Sequence, residues 1–242
     1  MLRFTTFGER DNLSEPKIIV VIPTLNEEKG IGLVMDGIRK ALHHYNHTVL
    51  VVDGYSKDKT VEIAKERGAS VIYQRANGYG DALISGFEYA NNDVKADVVV
   101  MMDADGTYDP HDIPELLTPI LKNQADLVIG NRFREMKRGA MSFVNRIGNR
   151  VLSLIARRTL RIKITDTQCG LRALRAGLIR HLCLKAEGMS FAIEMLAEAK
   201  QAGARILEVP ITYYPRIGDT KLNPIKDGMR IFGTTLRLIR DY

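Results

Sequence analysis

The sequence predicts a doubly wound α/β fold, in which a mostly parallel sheet carries helices on both of its faces. Three observations support this prediction. Short runs rich in β-branched residues alternate with segments of helical spacing, the runs are apolar at nearly every position, and polar residues follow them directly. Such apolar runs are typical of strands covered on both faces, and repeated β-α-β units imply right-handed crossovers.

The first half of the chain supplies strands and helices in regular alternation. Strands are predicted at 17–22, 48–52, 70–74, 97–102 and 126–129. Helices are predicted at 32–45, 60–67, 81–91 and 113–122. Pro23 is expected to end the first strand because it lacks a backbone N–H, and Gly68 is expected to end the second helix.

The second half has longer helices and fewer strands. Residues 141–160 predict an amphipathic helix, with apolar side chains at helical spacing and arginines on its other faces. A helix is predicted at 190–201, a strand at 205–209 that Pro210 ends, and a last amphipathic helix at 225–239. Because no internal repeat or linker is evident, one domain is predicted.

The charge balance indicates an anionic partner. The chain of 242 residues has 35 lysines and arginines against 29 aspartates and glutamates, a net charge of +6. Nucleotide phosphates, anionic lipid or nucleic acid would fit this excess, but no nucleic-acid-binding motif appears, so nucleic acid is not expected. Cys169 and Cys183 form neither a disulfide framework nor a zinc motif, which is consistent with a cytosolic protein. No apolar run approaches the roughly 18–20 residues of a membrane-spanning helix.

Two aspartates separated by one residue, Asp103 and Asp105, directly follow the strand predicted at 97–102. Carboxylates so placed can bind a hard divalent cation, and that cation can bridge the two phosphates of a nucleotide diphosphate. Taken alone, the pair is equally compatible with turn and helix-capping roles.

Polar residues at other strand ends strengthen the interpretation. Glu27 follows the first strand, Asp53 the second, and Asn131 and Arg132 the fifth. Open α/β sheets bind ligands beyond the carboxyl ends of their strands, so these side chains are expected to converge with the aspartate pair on one cleft. A carboxylate there can accept hydrogen bonds from ribose hydroxyls or from a base N–H.

The chain resembles family 2 glycosyltransferases of the GT-A fold in the segments IIVVIPTLNEE, VVDGYSKDKT, ANGYGDALISGFEYA, MMDADGTYDP and VIGNRF. The later segments DTQCGLRAL and EVPITYYPRIGDTKL resemble the branch of dolichyl-phosphate mannose synthases and polyprenyl-phosphate glycosyltransferases. The resemblance extends over residues 17–242. It implies one GT-A domain there after a polar lead-in at 1–16, with a nucleotide-sugar half at 17–135 and an acceptor half at 136–242.

The resemblance also implies roles for individual positions. Nucleotide-sugar binding is implied for Pro23, Leu25, Glu27, Asp53, Asp103, Ala104 and Lys221. Catalytic roles are implied for Asp105, Arg132 and Arg216, and binding of Mg²⁺ or Mn²⁺ for Asp103 and Asp105. Arginine suits phosphate binding because its planar fork donates two parallel hydrogen bonds and stays protonated.

Three positions depart from the family pattern. Many relatives have two consecutive aspartates where this chain has Asp53 and Gly54, which leaves the choice between uracil and guanine open. Thr107 stands where relatives often place a Gln that reaches the metal. The spacing from Arg216 to Lys221 is one residue shorter than in some synthases.

The implied reaction is an inverting, in-line displacement that moves a sugar from a UDP- or GDP-sugar to dolichyl or polyprenyl phosphate. A lipid phosphate is already anionic at about pH 7, so it needs little help from a base. A sugar hydroxyl as acceptor would require a carboxylate base instead. Asp166 is the candidate base in that case, and Arg146 and Asp166 are assigned to the acceptor side.

Contact with a membrane surface is predicted from the helix at 141–160. Its apolar face can enter the headgroup boundary while its arginines meet anionic lipid, although a helix packed on the sheet would give the same pattern. The expected location is cytoplasmic, peripheral on the cytoplasmic face of a membrane. A membrane-anchoring protein or a second copy of the chain are the protein partners considered.

Two other function classes fit the sequence less well. A sugar-nucleotide pyrophosphorylase is expected to have a glycine-rich loop after its first strand, and PTLNEE is not such a loop. A non-catalytic binding module related to glycosyltransferases would be favoured by a broken aspartate pair, and both aspartates are present. An enzyme is therefore predicted.

Overall fold

The computed structural model describes residues 15–185, 188, 190–218 and 233. The strands in these residues are β1 (Ile18–Thr24), β2 (His47–Asp53), β3 (Ser70–Tyr73), β4 (Val98–Met101), β5 (Leu127–Met136), β6 (Arg172–Arg175) and β7 (Ile206–Tyr213). The helices are α1 (Ile31–Ala41), α2 (Thr60–Glu66), α3 (Tyr79–Tyr89), α4 (Ile113–Leu121), α5 (Phe143–Leu160), α6 (Ala176–Ile179) and α7 (Phe191–Gln201).

The strands form one sheet in the order β3-β2-β1-β4-β6-β5-β7. β6 runs antiparallel to β4 and β5, and the other neighbouring strands are parallel. The chain passes from β1 to β2 and β3 on one side and then returns to β4 on the other side. Ligands of open α/β sheets bind at the carboxyl ends of strands where the order reverses in this way, which here is the crevice between β1 and β4. The predicted, mostly parallel α/β sheet is confirmed.

The core lies on both faces of this sheet. Every side chain from Ile18 to Ile22 is buried, and successive side chains of a strand point to opposite faces. Helix α3 packs so close to the sheet that a Cβ on Gly86 would lie 2.4 Å from Cγ1 of Val21. Helices therefore cover both faces, as the continuous apolar runs predicted.

Two prolines that were expected to end strands lie inside them. β1 continues through Pro23 to Thr24, and β7 continues through Pro210 to Tyr213. The pairing of β1 with β4 ends at Val21, so no bond on that side is lost at Pro23. β7 is an edge strand, where proline is tolerated because one side of the strand needs no partner.

β5 and β6 also differ from the predicted pattern. β5 was expected to end at residue 129 but extends to Met136, with an irregular register between Asn131 and Glu135. Asn131 and Arg132 consequently lie within a strand rather than after one. β6 was not predicted, because its sequence RALR suggests a charged surface segment, yet Arg172 is fully buried.

Other bounds differ by a few residues. α1 ends at Ala41 rather than at residue 45, and α5 begins at Phe143 rather than at residue 141. Lys221 and, except for Gly233, the helix predicted at 225–239 lie outside the described residues, and the division at residues 135 and 136 stays a prediction. Within the described part of the chain, no helix is long and apolar enough to cross a membrane.

Candidate functional site

Asp105 lies in the loop after β4 and is bonded at both of its carboxylate oxygens. Its Oδ1 accepts hydrogen bonds from the backbone N–H of Thr107 at 2.9 Å and from the Thr107 hydroxyl at 2.6 Å. Its Oδ2 accepts from Nη1 of Arg216 at 2.5 Å. Gly106 between them has a φ of +72°, a left-handed conformation that favours glycine. Thr107 therefore orients Asp105.

Asp103 faces the same crevice and is bonded differently. Its Oδ1 accepts a hydrogen bond from the Tyr79 hydroxyl at 3.0 Å. A Cβ on Gly170 would lie 3.0 Å from its Oδ2, so only glycine lets the loop before β6 approach this closely. Burial and the neighbouring Asp105 carboxylate raise the pKa of Asp103 from 3.8 to about 7. Burial also raises the pKa of Tyr79 well above 10, so its hydroxyl remains a donor.

The aspartate pair fits a divalent cation. Placing two carboxylates close together in a buried site costs free energy when both are ionised, and this cost raises the pKa of Asp103. Hard cations such as Mg²⁺ and Mn²⁺ prefer such oxygen ligands. No group of three or more His, Cys, Asp or Glu side chains that could hold a metal occurs in the described residues. Diphosphate and water oxygens would therefore have to complete the shell.

We expect Mn²⁺ binding to weaken as the pH falls below about 7. Asp103 holds a proton there, since its pKa is raised from 3.8 to about 7, and the cation must displace that proton. Competition with one proton lowers the apparent affinity by about tenfold for each pH unit below the pKa. Titration of the protein with Mn²⁺ between pH 5.5 and pH 8.5 measures this slope.

The raised pKa of Asp103 also predicts how the stability of the metal-free protein changes with pH. The folded protein binds the Asp103 proton more tightly than the unfolded chain does, so the free energy of unfolding should fall as the pH rises from about 4 to about 7. A Mn²⁺ affinity that does not change between pH 5.5 and about pH 7 would contradict the expected proton displacement.

Arg216 connects the two sides of the crevice. Its guanidinium donates to Asp105 and, through Nη2, to Oε1 of Glu27 at 2.5 Å. The segment that carries it is fixed on the loop after β4, because Tyr214 N–H donates to the Thr107 carbonyl at 2.8 Å and Ile217 N–H to the Asp105 carbonyl at 2.9 Å. Glu27, Asp105 and Arg216 are thus together at one place in the fold.

Arg132 is held by Asp166 in a buried pair. Nε of Arg132 donates to Asp166 Oδ2 at 2.7 Å, Nη2 donates to Oδ1 at 2.8 Å, and the backbone N–H donates to Oδ2 at 3.0 Å. The guanidinium also lies 5.4 Å from the ring centroid of Tyr213. Although burial opposes it, the Asp166 carboxylate holds the pKa of Arg132 well above its ordinary value. Asp166 is 0% exposed and positions Arg132, so it does not stand open to an acceptor hydroxyl as the alternative interpretation required.

Asp53 is also enclosed. Its Oδ1 accepts from the hydroxyls of Thr24 at 3.0 Å and Ser56 at 2.6 Å, and its Oδ2 accepts from the Ser56 N–H at 2.7 Å. With 0% exposure, it ties together the loops after β1 and β2. Every one of these bonds is internal, and nucleotide binding by Asp53 stays a prediction.

The remaining predicted residues occupy different positions. Leu25 is 42% exposed at the crevice, Pro23 is half-buried within β1, and Ala104 is buried between the two aspartates. Arg146 is exposed on α5. Ala104 accordingly lies beside both aspartates and Leu25 directly follows β1, whereas nothing in the described contacts joins Arg146 to Asp166.

Several supporting residues were not predicted. Glu208 accepts hydrogen bonds from the N–H groups of Thr165 and Asp166, both at 2.7 Å, and so fixes the loop that carries Asp166. Arg172 donates to three carbonyls of surrounding segments. Tyr79 had a signal in the segment ANGYGD, but the partner of its hydroxyl lies 24 residues away.

Comparison with known proteins identifies relatives along most of the chain. The sequence pattern of the family described as glycosyl transferase family 2 matches residues 19–183. The chain is 36% identical over 217 residues to the glycosyltransferase AglJ of Haloferax volcanii, covering 89% of this chain and 69% of that protein. It is 36% identical over 216 residues to a dolichyl-phosphate hexose transferase of the same organism, covering 88% and 90%.

Two further similarities extend this result. The chain is 35% identical over 222 residues to an undecaprenyl-phosphate mannosyltransferase of Micrococcus luteus, covering 86% of this chain and 88% of that protein. The fold is similar, with a TM-score of 0.74 and 24% identity, to glucosyl-3-phosphoglycerate synthase of Mycobacterium tuberculosis crystallised with Mn²⁺, UDP and glucosyl-3-phosphoglycerate. That alignment covers 93% of this chain and 80% of the synthase.

Proposed function

The chain belongs to glycosyl transferase family 2, and from this premise we propose that it transfers a sugar from a nucleotide diphosphate to dolichyl or polyprenyl phosphate. It is a glycosyltransferase with the GT-A fold, and its relatives include proteins named for both of these lipid phosphates. The proposal extends to the use of Mg²⁺ or Mn²⁺, to inversion at the anomeric carbon and to a UDP- or GDP-sugar as donor.

The preference for a phosphate acceptor rests on one observation: the carboxylate of Asp166 is already hydrogen-bonded to Arg132. A hydroxyl acceptor needs a base to take its proton, whereas a lipid phosphate is already ionised. Both carboxylate oxygens of Asp166 accept hydrogen bonds from Arg132. The two oxygens of Asp105 accept hydrogen bonds from Thr107 and from Arg216. These buried, cation-bonded carboxylates are poorly suited to act as bases, which favours an anionic acceptor.

The site residues then have distinct tasks. Asp103 and Asp105 would hold Mg²⁺ or Mn²⁺, which would supply positive charge to the leaving diphosphate. Arg132 and Arg216 provide positive charge for the donor and acceptor phosphates, and Arg132 needs no reorganisation because Asp166 already holds it. An oxygen of the acceptor phosphate forms the new bond to the anomeric carbon as the bond to the diphosphate breaks, which inverts that carbon.

Transfer from a panel of radiolabelled UDP- and GDP-sugars to a short polyprenyl phosphate tests this function, with and without Mg²⁺ or Mn²⁺. Metal-dependent formation of one lipid-phosphate sugar is the expected result. A sugar hydroxyl serves as the matched acceptor. Efficient transfer to that hydroxyl, with none to the lipid phosphate, would overturn the proposal.

Helix α5 supports the proposed contact with a membrane surface. Its exposed apolar side chains recur at helical spacing, namely Phe143 at 76% exposure, Val144 at 73%, Ile147 at 47%, Val151 at 50% and Leu154 at 44%. Arg146, Arg150 and Arg158 are exposed on the same helix. The helix packs against the protein through Ser153, Ala156 and Leu160 near its other end. An apolar face beside arginines fits an anionic membrane surface, and we propose a peripheral position on the cytoplasmic face.

Replacing both Ile147 and Val151 by Glu should reduce binding to vesicles with anionic lipid by at least about tenfold, because two apolar contacts become like charges facing the surface. Flotation with vesicles at moderate salt measures this. Leu33→Glu on α1 is the matched control, since Leu33 is 64% exposed on another helix and should leave binding unchanged. Equal flotation of all three proteins would contradict the assignment of α5.

A further inference from the structure

We propose that Gln74 recognises the base of the donor nucleotide and selects uracil over guanine. This inference rests on the proposed function and concerns the base that the family pattern leaves open. Gln74 directly follows β3, at the same edge of the sheet as the aspartate pair.

The sheet order places Gln74 within reach of a bound nucleotide. The carboxyl ends of β3, β2, β1 and β4 lie side by side, with Asp103 just after β4. Parallel strands are about 4.8 Å apart, so the end of β2 lies roughly 10 Å from the end of β4. A nucleoside diphosphate with its phosphates at the aspartate pair therefore brings its base to the end of β2 when it extends along this edge.

The side chain of Gln74 lies over the end of β2, next to Gly54. A Cβ on Gly54 would lie 3.3 Å from Oε1 and 3.5 Å from Cδ of Gln74. Any side chain at this position would have to share that space with the carboxamide. Glycine at position 54 thus leaves room for the carboxamide of Gln74 at this edge.

The carboxamide of Gln74 makes no hydrogen bond to another described residue, and the residue as a whole is 8% exposed. Its oxygen and nitrogen are not among the buried, unpaired side-chain atoms of the described residues, so they reach solvent and are open to a ligand. Its backbone is fixed, since the N–H of Gln74 donates to the Asp53 carbonyl at 3.1 Å. A ligand at this edge can bond to the carboxamide in place of water.

The loop beside Gln74 is fixed by hydrogen bonds and by ring stacking. Gly54 N–H donates to the Thr24 carbonyl at 2.8 Å, and the Asp53 carboxylate holds Ser56. Tyr55 adopts a positive φ of 63°, and its ring stacks on that of Tyr73 with centroids 5.2 Å apart. The recognition group therefore stands in a preorganised frame, which favours selective binding.

The chemistry of a carboxamide favours uracil. It presents one acceptor and one donor side by side, and these match the N3–H and a neighbouring carbonyl of uracil. Guanine offers its carbonyl and N1–H to the same group but leaves its amino group unmatched. A carboxylate in place of the carboxamide would instead accept from both N1–H and the amino group of guanine. Gln74→Glu should therefore shift the preference towards guanine.

Calorimetric titration of the full chain with UDP and with GDP, at saturating Mn²⁺, tests this inference. We expect UDP to bind at least about tenfold more tightly, and Gln74→Ala to weaken UDP binding about 10- to 100-fold with little effect on GDP. For Gln74→Glu the ratio of the two affinities is the readout, because the added charge weakens both complexes. Gln124→Glu, an exposed position beyond α4, is the matched control and should keep the wild-type ratio.

Two results would overturn the inference. One is equal binding of UDP and GDP by the wild-type protein, and the other is an unchanged ratio in both Gln74 variants that still unfold cooperatively. Because this titration needs no acceptor, it is separate from the proposed function. Selective UDP binding without transfer to lipid phosphate would contradict the proposed function but not base selection by Gln74. Preferred transfer from a GDP-sugar would contradict base selection by Gln74 and leave the proposed function intact.

Discussion

Asp105→Asn is expected to lower kcat for sugar transfer by about 10²–10³-fold or more, a loss typical of removing one charge-stabilising group from an active site. The amide keeps the size of the side chain and an oxygen that can accept from Thr107. It removes the charge that pairs with Arg216 and that would bind the cation. Initial rates over a range of Mn²⁺ concentrations measure the effect, and excess Mn²⁺ should restore only part of the activity.

Asp109→Asn provides the control for this variant. Asp109 lies in the same loop, and its carboxylate accepts from the backbone N–H of His111, a bond that asparagine can also make. Its kcat should stay within about twofold of the wild type, since an equivalent cap is retained. Activity of Asp105→Asn above a tenth of the wild-type level would show that Asp105 is not needed for transfer.

Asp166→Ala should lower the free energy of unfolding by about 3–5 kcal/mol, because it leaves the buried guanidinium of Arg132 without its charge partner. Asp166 is 0% exposed and receives three hydrogen bonds from Arg132. Urea denaturation measures the change. Glu88→Ala breaks the exposed pair of Glu88 with Arg75 and should cost about 1 kcal/mol or less.

The same pair can be tested for positioning rather than for stability alone. Asp166→Asn retains one acceptor oxygen, so it should fold while holding Arg132 less firmly. We expect transfer by this variant to fall about 10- to 100-fold at a temperature where it is fully folded, because a small misplacement of a catalytic group has effects of this size. Wild-type transfer by a folded Asp166→Asn protein would show that Arg132 needs no such support.

Local sequence patterns were sufficient for most of the sheet. Apolar runs located six of the strands, because strands covered on both faces leave a signal that needs no knowledge of distant residues. β6 was missed because the charged Arg172 interrupts the apolar run. The buried guanidinium of Arg172 is stabilised by hydrogen bonds to carbonyls of separate segments. The extension of β1 and β7 through proline depends on which side of each strand has a neighbour, which only the assembled sheet decides.

The sequence by itself determined the aspartate pair, the arginines and the family, because each lies in a short contiguous motif. The tertiary structure decided how those groups are used. It directs Asp53 and Asp166 inward to Ser56 and Arg132, and it brings Arg216 across 189 residues to Glu27. The reason is that the free energy of a carboxylate depends on its burial and its partners, and these are contributed by elements far apart in the chain.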